Sequence, residues 1–83
     1  MDDIVVNAEA CSAEALAFVR HKFNPSGLPQ VERIKLLSAA LITELRAVAD
    51  RNAYAGREIA VAVTHVQTAS MFGVAAATSG LPA

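Results

Sequence analysis

One cysteine, no tryptophan and only three prolines in 83 residues rule out several familiar kinds of small protein. Cys11 has no partner for an intramolecular disulfide, and no Cys-rich metal site can be built around it. It suits a reducing compartment and reads as a small buried hydrophobe. Charge is scarce too. Only 18% of residues are Asp, Glu, Lys or Arg and the net charge is −1, so no broad basic field is available to steer a DNA or RNA polymer. A helix-turn-helix fails for the same reason, because Arg57 is the only Arg or Lys beyond position 51. Two histidines and one cysteine, on separate segments, make no metal cluster. Cys11 and His21 lie nearly three helical turns apart, so they cannot form a nucleophile pair within one helix. The composition points away from an enzyme.

What is present is apolar and small. Hydrophobic residues make up 54% of the chain, Ala and Val foremost, and the mean hydropathy is +0.40. A domain of this length buries a limited share of its surface alone. Small side chains let helices approach closely, so homo-oligomerisation is expected. The acidic start, MDDIVVNAEA, lacks the basic region of a secretory signal. Ile59 to Thr78 carries no Asp, Glu, Lys or Arg, and about 20 residues can cross a bilayer. Thr64, His65, Gln67, Thr68 and Ser70 interrupt that run, so an interior helix of a soluble assembly is expected, with no membrane partner.

The chain reads as all-α. Residues 1–7 form a tail, and residues 8–22 a first helix with Asn7 as N-cap and Arg20, His21 and Lys22 in its last turn. Cys11, Ala15, Phe18 and Lys22 share one of its faces. The turn Phe23-Asn24-Pro25-Ser26-Gly27, within residues 23–28, must end it, since the residue before proline avoids helical backbone. Pro29 starts a second helix, Pro29 to Arg51, with a stripe through Val31, Ile34, Leu41, Leu45 and Val48. Glu32, Arg33, Lys35, Glu44, Arg46 and Asp50 fall on its wetter side, where Lys35 reads as a surface lysine. A short connection leads to a third helix, Arg57 to Ser79, antiparallel to the second, so that residues 29–79 form a hairpin about 30 Å long. Ala69, Gly73 and Ala77 make a row of small residues suited to close packing.

Two places could hold a ligand. At the turn, Phe23 offers a ring for stacking, Asn24 and Ser26 offer polar edges, and free amides opening the second helix offer an anion site. The alternative is a plain tight turn with Phe23 plugged into the core. On the third helix, Arg57, Thr64, Thr68 and Met71 fall along one stripe, flanked by His65 and Gln67. Such a stripe either lines a ligand cavity or satisfies itself in an assembly and merely fixes the register of a structural, adaptor-like hairpin.

The string Val19-Arg20-His21-Lys22-Phe23-Asn24-Pro25-Ser26-Gly27, then Val31 with Ile34-Lys35, then Arg57 and the run Thr64 to Met71, resembles the small phage hairpin proteins of the anti-CBASS type 2 and Thoeris anti-defence type 1 family. The resemblance covers residues 19 to 79. It implies a hexamer of helical hairpins that acts in the host bacterial cytoplasm as a sponge. Such a sponge sequesters cyclic di- or trinucleotide messengers, in some relatives cyclic ADP-ribose isomers, without cleaving them. It implies that Phe23 stacks on a base beside Asn24, that Lys35 meets the phosphates of a dinucleotide, that Arg57 lies near a trinucleotide pocket, and that Thr64 and His65 lie in the accompanying motif. Relatives often carry Trp where this chain has Phe72, and a basic residue where it has Ala75. The second departure removes positive charge from that pocket.

Overall fold

A computed structural model describes residues 6–80. The described chain is all-helical. A 3₁₀ turn at Ala8–Ala10 precedes α1 (Ala13–Phe18), α2 (Pro29–Arg51), a second 3₁₀ turn at Ala53–Ala55, and α3 (Gly56–Ala77). Pro29 opens α2 at a position where a missing N–H costs nothing. Between α2 and α3, Asn52 caps the connecting turn, its side chain accepting from the Tyr54 N–H at 3.0 Å. So short a link makes the two long helices antiparallel neighbours, and the hairpin is as expected from the sequence.

The first segment differs from expectation. In place of one helix over residues 8–22 there are two short pieces. Asn7 does cap, but it caps the 3₁₀ turn, accepting from Ala10 N–H at 3.1 Å. Ser12 then caps α1 by accepting from Ala15 N–H at 3.1 Å. A serine that caps competes with continuing the helix through it, and here it wins. Thr43 on α2 reinforces the break by accepting from Ser12 N–H at 3.0 Å. Arg20, His21 and Lys22 therefore lie beyond α1 rather than in its last turn. Of the tail expected at residues 1–7, the first five lie outside the described residues.

The core is a small cluster of Ala15 and Val19 from the first arm, Ala39 and Ile42 from α2, and Ile59 and Val63 from α3. Cys11 is half-buried at its edge, and burial raises its thiol pKa. The buried face of α2 runs through Val31, Lys35, Leu36, Ala39 and Ile42, which shares Val31 with the stripe read from the sequence but is otherwise rotated away from it around the helix axis. Leu41 and Val48, seven residues apart and so on one side, are each about half exposed. The contact between arms is close at Gly73, where a Cβ would stand 3.3 Å from the Ile34 side chain.

α3 buries little within one chain. Its buried residues are Ile59, Val63 and Ser70, whereas Val61, Met71 and Phe72 are exposed. Residues 53–77 are long and apolar enough to cross a membrane, yet little of their most apolar stretch is buried inside the chain. The helix is therefore not interior to a single copy. Gln67, which flanks the polar stripe, is half-buried and donates to the Phe18 carbonyl at 3.1 Å.

Candidate functional site

The connection from α1 to α2 is built around a strained cap. Past Phe18 the Arg20 N–H donates to Ala17 O at 3.1 Å and the His21 N–H to Leu16 O at 3.0 Å. That pair of bonds is a Schellman closure, whose left-handed residue is usually glycine. Here it is Arg20, at φ 53. A side chain in that region costs about 1–2 kcal/mol. The Phe23 N–H then returns to Arg20 O at 2.9 Å, and the chain folds back over α2.

Beneath that fold lies Lys35. It is 6% exposed, and its Nζ donates to the backbone carbonyls of Arg20, at 2.9 Å, and of Phe23. The Phe23 ring centroid lies 5.5 Å from the same ammonium, within cation–π range. Burial lowers the Lys35 pKa from its ordinary 10.5, and the nearby Arg20 guanidinium lowers it further. Among the described residues no carboxylate pairs with Lys35. Two readings made from the sequence are corrected here. Lys35 is not a surface lysine, because two carbonyls delivered by the preceding arm draw it under the turn. Phe23 is not a core plug, because it stands 64% exposed above that lysine. The two come together within one chain.

Asn24 and Ser26 are committed to the turn itself. The Asn24 amide donates to Leu28 O at 3.1 Å, and the Ser26 hydroxyl donates to Asn24 Oδ1 at 2.7 Å. The Leu28 N–H donates to Ser26 Oγ at 3.2 Å, and the Gly27 N–H to Asn24 O at 3.1 Å. Gly27 takes a φ of 66 that favours glycine. The amides of Gly27 and Leu28 are thus used internally rather than offered outward. This network holds the backbone that presents Phe23.

Two open cavities flank the turn, and Arg20 borders both. One, of about 370 Å³, lies between the turn and the C-terminal half of α3, with Arg20, Lys35, Gln67, Ser70 and Met71 on its walls. The other, of about 460 Å³, lies on the α1 side and is lined by Leu16, Arg20, His21, Lys22 and Phe23. Both volumes are in the range of small-molecule sites. Beside the turn Glu32 lies 3.9 Å from the His21 imidazole. To the seven residues selected from the sequence the structure adds Arg20, which the sequence places only among the basic residues before the turn, Gln67, which it places only beside the α3 stripe, and Ser70. Their signal was weak, since nothing in an Ala- and Val-rich helix marks the face on which Ser70 is buried.

Arg57, Thr64 and His65 form a separate, exposed group on α3. Arg57 and Thr64, seven residues apart, share a face. Thr64 and Thr68 donate their hydroxyls back to the carbonyls of Ala60 and Thr64, at 3.1 and 3.0 Å, so their oxygens remain as acceptors. This group points away from the buried face of α3, and Thr64 lies at least six residues, or about 9 Å of helix, before Ser70 and Met71 of the first cavity. Within one chain the seven sequence-selected residues therefore fall into two places.

Neither curated proteins nor solved structures gave a match. A family model does. The family described as "Acb2/Tad1, hairpin domain" matches residues 13–78, which take in α1, the strained turn with its buried lysine, and both arms of the hairpin. That match spans well over half of the 83 residues, and the chain belongs to the Acb2/Tad1 hairpin family.

Proposed function

We propose that this protein binds and sequesters cyclic oligonucleotide second messengers, cyclic dinucleotides such as cGAMP or cyclic trinucleotides, and so silences bacterial antiphage signalling. The observation that carries the reading is the buried Lys35 ammonium, unpaired with any carboxylate among the described residues, under an exposed aromatic ring and open to a cavity. A cyclic nucleotide presents what such a place lacks, a phosphate for the cation and a flat base for Phe23. A charge-assisted contact of this kind is worth about 1.5–3 kcal/mol, or roughly one to two powers of ten in affinity. Membership of the family supports the same reading.

Sequestration requires no bond to break, and the protein acts as a binder rather than an enzyme, in the host bacterial cytoplasm. The working unit is a homo-oligomer, a hexamer by family resemblance. The exposed Val61, Met71 and Phe72 of α3, with Leu41 and Val48 of α2, support it as surface for another copy to cover. Assembly would also bring Arg57, Thr64 and His65 against neighbours, where they could line a second pocket.

The test is a panel of cyclic di- and trinucleotides and cyclic ADP-ribose isomers, with melting temperature and native mass as readouts. A binder gains stability as RT ln(1 + [L]/Kd), several degrees near saturation, and releases the ligand chemically unchanged. A hairpin serving only as structural adaptor would show an oligomer but no shift with any member of the panel. A monomer in dilute solution would remove the assembly.

A further inference from the structure

We infer that Arg20 is the second cation of the ligand site, and that its strained backbone is kept for that purpose. This deepens the nucleotide-binding reading and rests on it. A Schellman cap asks for a left-handed residue, and glycine supplies one without strain. This chain places there a long, charged side chain at φ 53. Backbone strain of this kind persists where surrounding structure enforces it, and it gathers at functional sites. Three further observations indicate what the strain supports. The carbonyl of Arg20 accepts from Lys35 Nζ at 2.9 Å, so the same residue fixes the first cation. Its guanidinium is close enough to Lys35 for the two like charges to repel. Its side chain borders both cavities, whereas Lys35 borders only the one against α3.

Two cations facing one concavity, with no carboxylate paired to either among the described residues, form an incomplete site. The missing component is an anion. A guanidinium grips a phosphate in the plane of its two N–H groups, while an ammonium acts as a point charge. The pair therefore suits a phosphodiester or diphosphate lying across the mouth of the cavity, with Gln67 and Ser70 of α3 on the far wall. Arg20 can reach a ligand on either side of the turn, where Lys35 cannot.

The experiment compares wild type with R20G, R20N and K35M by calorimetric titration with cyclic dinucleotides and, separately, with inorganic pyrophosphate, alongside thermal melting. Glycine and asparagine both tolerate the left-handed backbone, so neither variant should unfold the cap. Both should melt at or above the wild-type temperature yet bind at least tenfold more weakly, with a shallower dependence of affinity on salt. R20G and R20N binding as tightly as wild type, while K35M does not, would discard Arg20 and leave the sponge reading intact. If wild type ignores every cyclic nucleotide, the sponge reading fails. The cation pair then stands only if pyrophosphate binds wild type and is lost in R20G, and it falls if pyrophosphate binds neither or both.

Discussion

The two connections of this small fold differ in almost every physical respect. Between α2 and α3 the chain turns on Asn52 and one 3₁₀ turn, with Tyr54 95% exposed and making no contact with the core. Between α1 and α2 it uses a left-handed arginine, a buried lysine, a left-handed glycine and an Asn–Ser network. Reversing chain direction needs only the first kind. The extra constraint in the second is what a rigid binding edge requires, since a site must be held by groups that are themselves fixed.

Substitutions at the two ends test that contrast. The largest effect is expected for K35M, which removes the donor shared by two carbonyls. It should cost about 2 kcal/mol by denaturant melts, quicken amide exchange at residues 20–24 and weaken ligand binding by roughly one to two powers of ten. Next comes G27A. No atom lies near the added methyl, so the cost is that of the left-handed backbone alone, about 1–2 kcal/mol, whereas G56A at the far end, with ordinary helical φ, should be neutral or gain a few tenths. At the far end N52A should cost about 0.5–1 kcal/mol through the lost cap, without altering affinity at the lysine. Smallest is Y54A, expected within about 0.5 kcal/mol of wild type in the isolated chain; a larger loss in the assembled protein would mean that this tyrosine is covered by another copy.

Stability against pH sharpens the comparison further. The folded Lys35 pKa lies below the 10.5 of an ordinary lysine. Between those two values the unfolded chain holds a proton that the folded chain has released, so stability should rise with pH across that window. Subtracting the K35M curve cancels the other titrating groups. A difference that is flat, or that falls, would mean that the ammonium is better solvated than its burial suggests.

The hairpin was legible because its signals are local. Pro29, the Asn-Pro-Ser-Gly turn and the short link each act within a few residues, and α2 has the expected ends. The first arm departs from one helix because Ala-rich sequence favours helix throughout, whereas Ser12 and Thr43, brought together by folding, interrupt it and the closure at Arg20 ends it at Phe18. Arg20 gave no sign, since left-handed backbone is usually announced by glycine. Lys35 was read as wet because its partners are carbonyls 12 and 15 residues away rather than acids at a helical spacing. Phe23 and Lys35 were each noticed, but that one chain unites them depends on that arm.

The ammonium of Lys35 has three hydrogens and the arm provides two carbonyls. A neutral amine retains two. Alkaline solution would therefore take away the charge and the one spare donor while leaving both fastenings of the arm in place. The protein should then release an anionic ligand without loosening its architecture, so that holding the messenger and holding the shape are separable by a single proton.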